Sequence, residues 1–380
     1  MTMNILDSIL DVYRGKSPAK VPFMLDLSHW FYHRNRMPWD LSKAYEKPEY
    51  ELIDYHRSKG VGFYMPNLAS FFATAFRPEV QVEIRKSDAG GRTRIAWRYT
   101  TPIGMIERVR AWDETTYSWH IENWGVKTEQ DLRVLAFALS GRTFTPAWHK
   151  FDAWRKYVGD LGVVYITTGY SGMGQLLNYW MGVEGTIYAI ADWPETVRAA
   201  VDQINASNLD MIDCLAGSPA QVVCMGDNFS SDIQPPAFFN EWSRGYYVEA
   251  IRRLHAAGKY VAVHIDGRLR GALAMIRGAG ADCADAVTPK PMGDLIPDEC
   301  FEEAGTQFIL SGGVSPDLWL PNRPLGEFKK AVIAWLDLSR RGARIIANAG
   351  DQVPPGAEEA RIEIMRDMVE QHNRTLAGQT

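Results

Sequence analysis

The sequence predicts a (β/α)8 barrel on three observations: eight short apolar runs, amphipathic helical segments between most of them, and polar residues gathered just after the runs. Strands that alternate with helices indicate parallel pairing through right-handed crossovers. Eight such units favour closure into a barrel over an open sheet. The predicted strands are residues 21–27, 61–65, 163–168, 221–225, 260–264, 282–287, 307–310 and 344–348.

The clearest predicted helices are residues 194–215 and 236–257. Each begins with a proline in its first turn, where the missing amide hydrogen has no helical partner to lose. The second is followed by Gly258, a residue typical of helix ends. These long amphipathic segments support a barrel whose strands are covered by helices on the outside.

One segment, at about residues 79–124, breaks the alternation of strands and helices. Two alternating runs, 81–85 and 94–98, flank Asp88-Ala89-Gly90-Gly91, a sequence typical of a turn between strands. We therefore predict a β-rich insertion after the second barrel strand. Residues 1–380 are otherwise expected to form a single barrel domain.

The composition excludes several classes of protein. With 46% hydrophobic residues, 23% charged residues and a net charge of -5, the chain shows no basic excess for nucleic acid. No apolar run approaches the roughly 20 residues that span a bilayer, and the first 16 residues do not resemble a signal peptide. The four cysteines form no C-x-x-C pair. We expect a cytoplasmic enzyme without a membrane or nucleic-acid partner.

Active sites of such barrels lie where the strands end at their carboxyl side, so the polar and aromatic residues there are the site candidates. Histidine and carboxylate side chains among them suit proton transfer, and the aromatic ones suit contact with a substrate. They are Asp26, His29, Trp30, Tyr64, Asn67, Tyr170, Asp227, His264, Asp266, Asp285, Asn348 and Asp351.

The sharpest local pattern is a β run that ends in His264, with Asp266 two residues further on. If the strand continues, both side chains point to the same face. An imidazole and a carboxylate at that spacing can share a divalent metal or form a proton-transfer pair. The same pattern also suits a hydrogen-bonded strand end followed by Asp266 as a helix N-cap. The spacing alone leaves these alternatives open.

Several motifs, taken in order, resemble the uroporphyrinogen decarboxylase superfamily. The resemblance covers most of the chain from about residue 21, is strongest after residue 221 and is weak in the insertion. It implies a (β/α)8 barrel. The motifs are Gly226-Asp227-Asn228, residues 233–239, His264-Ile265-Asp266-Gly267, residues 288–294, Ser311-Gly312-Gly313-Val314 and residues 348–355.

The resemblance implies one of two chemistries. Decarboxylases of the superfamily bind an acidic tetrapyrrole through arginines near the N-terminus and use an aspartate after an early strand. Residues 23–30 lack such arginines, and Asn67 stands near the place expected for the aspartate. A substrate with many carboxylates needs guanidinium groups to balance its charge. The sequence therefore argues against porphyrin decarboxylation.

The other branch consists of corrinoid-dependent methyltransferases, whose thiol-activating members resemble this chain at a zinc-binding His-x-Cys motif and a later cysteine. The matching positions here are His264, Asp266 and Asp351. The resemblance implies that these three hold zinc. Two carboxylates in place of thiolates make a harder site, suited to an oxygen-bound methyl group rather than a thiol.

We thus expect a corrinoid-dependent methyltransferase that demethylates a small methoxylated substrate and passes the methyl group to a separate corrinoid protein. The expected catalytic residues are His264, Asp266, Asp227 and Tyr170. The other candidates would contact substrate: Asp26, His29, Trp30, Asn67, Tyr64, Asp285 and Asn348. Two alternatives stay open: a metal-independent decarboxylase or lyase with His264 and Asp266 in acid–base roles, and a binding protein without catalysis. A homo-oligomer is also left open.

Overall fold

The strands of this computed structural model fall into three sheets, described for residues 4–16, 20–37, 40–43, 45–66 and 70–378. One sheet has six strands, one has four and one has two. In chain order the strands are β1 (Phe72–Ala75), β2 (Gln81–Ala89), β3 (Arg92–Thr101), β4 (Gly104–Asp113), β5 (Ser118–Asn123), β6 (Thr143–Pro146), β7 (Ile166–Thr167), β8 (Val222–Phe229), β9 (Tyr260–Ile265), β10 (Cys283–Val287), β11 (Ile309–Val314) and β12 (Arg344–Ala349).

Strands β7 to β12 lie side by side in chain order, and every pair is parallel. The ring closes through three single parallel bridges: Phe23 with Ala347 of β12, Met24 with Gly62, and Phe63 with Gly162 just before β7. Eight chain segments therefore follow one another around a closed ring. The predicted (β/α)8 barrel is confirmed, with its apolar core between the strands and the surrounding helices.

The first two barrel segments are less regular than predicted. Residues 21–27 and 61–65 form isolated bridges rather than continuous strands. Pro22 and Pro66 lie within or next to these segments, and proline has no amide hydrogen to give to a ladder. Six of the eight barrel segments are therefore strands, β7 being the shortest, and the first two are held by single bridges.

Helices cover the outside of the barrel, and the described residues contain no helix long and apolar enough to cross a membrane. They are α1 (Ile5–Tyr13), α2 (Ser28–Arg34), α3 (Tyr50–Lys59), α4 (Glu129–Leu139), α5 (Trp148–Val158), α6 (Gly172–Gln175), α7 (Gly182–Asp192), α8 (Pro194–Ala216), α9 (Pro236–Trp242), α10 (Arg244–Ala256), α11 (Ala272–Gly278), α12 (Pro297–Ala304), α13 (Leu325–Arg340) and α14 (Glu359–Ala377).

The two helix predictions have different outcomes. Residues 194–215 form α8 as predicted, but residues 236–257 are split into α9 and α10, so the prediction of one continuous helix is wrong. The break falls at Ser243, whose hydroxyl donates a hydrogen bond of 2.6 Å to Oε1 of the buried Gln234. A side chain tied to the preceding loop favours a turn of the chain at this point.

The β-rich insertion agrees with its prediction. Strands β2 to β5 form an antiparallel sheet between the second barrel segment and β7. The hairpin from β2 to β3 turns at Gly90 and Gly91, whose φ angles of 64° and 74° suit glycine. The insertion packs on α4 and on Leu176–Trp180, a π-helical segment after α6. A Cβ on Gly125 would lie 2.6 Å from the ring of Trp180, so the absence of a side chain there allows this close approach.

Replacing Gly313 by alanine is expected to destabilise the barrel by about 3 kcal/mol or more. Gly313 has a φ of 126°, and a Cβ there would lie 2.4 Å from the ring of Trp335, which is buried in α13. The free energy of unfolding in denaturant measures the effect. Gly326→Ala is the matched control. Gly326 lies in α13, the helix that carries Trp335, and a Cβ there meets no atom within 4 Å. Equal losses in the two variants would contradict the packing argument.

Candidate active site

His264 lies near the carboxyl end of β9, at the mouth of the barrel, with 22% of its side chain exposed. Its Nδ1 donates a hydrogen bond of 3.1 Å to Oδ2 of Asp285, which is fully buried. The two residues are register partners on β9 and β10. The Nε2 atom lies 3.9 Å from Oδ1 of Asp351. Asp285 thus orients the imidazole ring, and Nε2 is the nitrogen left for chemistry.

Hydrogen bonds behind His264 fix Asp285 in turn. Ser311 of β11 donates to Oδ1 of Asp285 over 3.5 Å, and Nδ2 of Asn348 on β12 lies 3.3 Å from the Ser311 hydroxyl. Asn348 also accepts a hydrogen bond of 2.8 Å from the amide of Ala349. Tyr64 is buried beside this group, and the Asp285 charge adds to burial in raising its pKa. Neighbouring strands thereby hold the imidazole in one orientation.

Three predicted substrate contacts are corrected by this arrangement. Asp285, Asn348 and Tyr64 have exposed fractions of 0%, 1% and 3%. Their side chains are buried inside the barrel, and Asp285 is bonded to His264. The sequence placed them correctly near strand ends but could not show that their side chains turn inward. Their role in the structure is to position His264.

The charges at the mouth favour the protonated imidazole. Burial by itself lowers the pKa of His264, but the hydrogen bond to Asp285 and the charges of Asp351 and Asp266 outweigh it and raise the pKa to about 9. Burial raises the pKa of Asp351 to about 6, against the opposing effect of the His264 charge. At a pH between about 6 and about 9, His264 therefore carries a proton on Nε2 and the neighbouring Asp351 is ionised.

Asp266 is exposed at the same mouth, after the end of β9. Its Oδ2 lies 3.4 Å from Nδ2 of Asn228, which lies near the carboxyl end of β8. The structure therefore brings His264, Asp266 and Asp351 to one rim, as the sequence predicted. Only His264 and Asp351 approach within 4 Å of each other as a charged pair.

This arrangement does not fit the zinc site implied by the motif. Asp285 bonds Nδ1 of His264 and so leaves Nε2 as the nitrogen that could bind a metal, 3.9 Å from Oδ1 of Asp351, but a third ligand is missing. Within the described ranges, no group of three or more histidine, cysteine, aspartate or glutamate side chains is placed to hold a metal ion. A structural or catalytic zinc needs at least three protein ligands at about 2.0 to 2.3 Å. We therefore derive no step through zinc.

Asp26 and Trp30, two further predicted substrate contacts, are buried beside the mouth. Asp26 accepts hydrogen bonds of 2.9 and 2.5 Å from the amide and hydroxyl of Ser28, and one of 3.2 Å from Gln352. Burial raises the pKa of Asp26. Trp30 donates its indole hydrogen to the carbonyl of Ala357 over 2.9 Å and is 3% exposed. Trp30 is a core residue, and Asp26 anchors the loop that follows Asp351.

His29 and Asn67 complete the predicted contacts. Half-buried His29 has its Nε2 at 2.9 Å from the carbonyl of Tyr117, so it connects the barrel to the insertion. Its role as a substrate contact stays a prediction. Asn67 lies outside the described residues.

Asp227, a predicted catalytic residue, is placed in a structural role. Its Oδ1 accepts a hydrogen bond of 2.6 Å from the amide of Ser171, and its Oδ2 accepts one of 2.9 Å from the hydroxyl of Tyr247. The residue is 2% exposed, and burial raises its pKa. With both oxygens engaged inside the protein, Asp227 fixes the start of α6 rather than a substrate. Tyr170 is half-buried at the rim, so its catalytic role stays a prediction.

A family model for uroporphyrinogen decarboxylase (URO-D) matches residues 163–372, more than half of the chain. The chain belongs to the uroporphyrinogen decarboxylase family. The matched region runs from just before β7 to α14 and includes His264, Asp285 and Asp351. It leaves out the first two barrel segments and the insertion. No protein with a curated description matches the chain.

Three solved structures resemble the chain to different extents. A methyltransferase from Methanosarcina mazei has a TM-score of 0.62 at 14% identity, covering 97% of this chain and 99% of the other. A D-psicose 3-epimerase has a TM-score of 0.37 at 13% identity, covering 60% and 84%. A xylose isomerase-like barrel protein from Mycobacterium smegmatis has a TM-score of 0.35 at 11% identity, covering 60% and 79%. The methyltransferase shares its fold with this chain over nearly the full length of both.

The sequence reading missed two arginines that the insertion adds to this uroporphyrinogen decarboxylase family barrel. Arg108 and Arg110 lie on β4, two residues apart. The guanidinium carbon of Arg108 is 3.3 Å from the ring centre of Tyr179, and that of Arg110 is 5.1 Å from it. Their spacing, which places them on one face of a strand, was the available signal.

Proposed function

We propose that this chain is a methyltransferase that demethylates a small methoxylated compound and passes the methyl group to a corrinoid held by a separate protein. The observation that carries the proposal is the position of His264 at the barrel mouth, where Nδ1 is bonded to Asp285, Nε2 is left for chemistry and the neighbouring carboxylates raise the pKa of the imidazole to about 9. The methyltransferase from Methanosarcina mazei, which has this fold over nearly its full length, supports the reaction class.

A methyl ether is a poor methyl donor because its leaving group is an alkoxide or phenoxide. When the carbon–oxygen bond breaks, the electron pair stays on the oxygen, which then needs a proton. The co-substrate, a reduced corrinoid, would supply the electron pair that forms the new bond to the methyl carbon. Nε2 of His264 donates the proton to the departing oxygen, which lowers the barrier in the manner of a general acid. Solvent at the mouth returns the proton to His264.

The neighbouring carboxylates have separate parts in this reaction. Asp285 keeps the imidazole ring in place through Nδ1, so that Nε2 faces the mouth. Asp351, 3.9 Å from Nε2, keeps the ring protonated before the reaction. The chain's own groups therefore supply orientation and a proton.

The proposal is tested with the full chain, free cob(I)alamin and a panel of methoxylated compounds. We expect the hydroxyl product and methylated corrinoid to appear in equal amounts, as judged by chromatography and absorbance. Absence of methyl transfer across the panel would overturn the proposal. Release of carbon dioxide from a carboxylated panel member, without methyl transfer, would favour a decarboxylase instead.

Removal of metal ions separates proton donation from Lewis-acid catalysis. Protein dialysed against EDTA is expected to keep its rate, because His264 acts as the acid and no set of three ligands surrounds it in the described part of the chain. Metal analysis of the same sample gives the zinc content. A rate that is lost on dialysis and restored by zinc would contradict the role of His264 as the acid, and methyl transfer itself would stand.

A further inference from the structure

Arg108 is a buried charge that the polypeptide leaves incompletely satisfied. The residue is 0% exposed, and its Nε and Nη2 atoms have no hydrogen-bond partner among the described residues. Its Nη1 has a long contact of 3.4 Å with the carbonyl of Tyr179. The Nε atom of the neighbouring Arg110 is also buried without a partner. Protein interiors rarely leave guanidinium nitrogens in this state, which points to a partner outside the polypeptide.

Other arginines of the insertion sheet show what is missing. Arg98 pairs with Glu107 at 2.7 Å, and Arg94 pairs with Glu122 at 2.6 Å. Within the ranges that the structure describes, no carboxylate lies within ion-pair distance of Arg108 or Arg110. The charged and phenolic groups that act on Arg108 are Arg110, Tyr179 and Tyr99. The pair therefore concentrates positive charge without a carboxylate to balance it.

The arginine pair lies next to the barrel mouth. The ring of Tyr179 separates it from Tyr170, whose ring centre is 5.3 Å from that of Tyr179. Tyr170 follows β7, and the adjacent Asn178 donates a hydrogen bond of 2.8 Å to the carbonyl of Asp227 on β8. Because neighbouring strands are about 4.8 Å apart, the ends of β7 and β9 lie roughly 10 Å from each other. Tyr170 therefore lies two strands from His264 around the mouth.

We propose that Arg108 and Arg110 form a subsite that binds the acidic group of the substrate, a carboxylate or a similar oxyanion. Two guanidinium groups provide paired donors for such an anion, and the half-buried ring of Tyr170, on the far side of Tyr179, offers a flat surface for an aromatic body. The substrate class is then a small methoxylated aromatic acid. The expectation that the substrate carries a methoxy group rests on the proposed function, whereas the expectation that its acidic group binds here does not.

Isothermal titration with the full chain, without corrinoid, tests the subsite. The probes are 2-, 3- and 4-methoxybenzoate, each compared with its neutral methyl ester. We expect at least one acid to bind about tenfold or more tightly than its ester. Arg110→Gln is expected to weaken that acid by about tenfold or more and to leave the ester within about twofold. Absence of binding by every acid up to about 5 mM would overturn the proposal, as would equal affinity of acid and ester.

Arg98→Gln is the matched control, because Arg98 lies on the same sheet but is paired with Glu107. We expect it to leave acid binding unchanged, and a loss equal to that of Arg110→Gln would contradict a specific subsite. Arg108→Lys keeps the charge but removes the paired donors, and it is expected to weaken the acid as well. If this buried variant fails to fold, Arg110→Gln still decides. Binding without methyl transfer would overturn the proposed function alone, and methyl transfer without preference for acids would overturn the subsite alone.

Discussion

The variant His264→Asn is expected to slow the proposed methyl transfer by about a hundredfold to ten-thousandfold, the usual contribution of a general acid. Asparagine can place an amide donor where Nδ1 of the imidazole now bonds Asp285, so the buried carboxylate keeps a partner. It has no counterpart of Nε2, and the proton donor is lost. Single-turnover rates with free cob(I)alamin measure the effect, with unfolding in denaturant as the test of structure.

His255→Gln is the control for this prediction. His255 also pairs with a carboxylate, through Nε2 and Asp282 at 2.8 Å, and glutamine can keep a donor at that position. We expect its rate to match the unmodified protein. In the unmodified protein the rate should fall as the pH rises through about 9, where His264 loses its proton. A rate in His264→Asn within about threefold of the unmodified protein would exclude His264 as the acid.

The second large effect is expected from Asp285→Asn, which removes the carboxylate that receives the Nδ1 hydrogen. The pKa of His264 should fall from about 9 by one unit or more, because the hydrogen bond to Asp285 and its charge are two of the causes that raise it. Titration of the imidazole signals by NMR measures this shift. The methyl-transfer rate should then begin to fall at a lower pH.

Asp285→Asn is also expected to change the stability of the fold. A histidine whose pKa in the folded protein exceeds its usual value of 6.5 stabilises the fold fully below that value, and the contribution disappears as the pH rises through about 9. The free energy of unfolding should therefore drop by about 1 to 2 kcal/mol in Asp285→Asn near pH 6.5, and by less above pH 9. Asp282→Asn is the control, since it should alter the titration of His255 and leave that of His264 unchanged. A shift of His264 in both variants, or in neither, would contradict the assignment.

The barrel could be predicted because its signals are local. Apolar strand runs and the helices between them show in the sequence as periodicity, and parallel connectivity then follows from their order. The break at Ser243 could not be foreseen in this way, because it depends on a hydrogen bond to Gln234 in a preceding loop. The weak first two barrel segments show a similar limit, since closure there depends on contacts with β12 from the other end of the chain.

The candidate site was predicted in part for the same reason. His264, Asp266 and Asp351 follow strands, and barrel topology is sufficient to bring them to one rim. The direction of each side chain was not predictable, so Asp285 and Asn348 were assigned to substrate although they lie behind His264. Arg108 could not be singled out from the sequence, because arginines are common on strands and only the structure shows its burial and its nitrogens without partners.

The four-stranded insertion lies outside the region matched by the family model, whereas β9 and β10, which carry the proposed proton donor His264 and its partner Asp285, lie inside it. The two sets of residues belong to separate stretches of one polypeptide that meet at the barrel mouth. Ligand preference and proton transfer can therefore change independently. Exchanging residues 81–123 for another sheet would alter which molecules enter and leave the imidazole and its hydrogen bonds in place. Under the two proposals, ligand preference would belong to the insertion and proton transfer to the barrel.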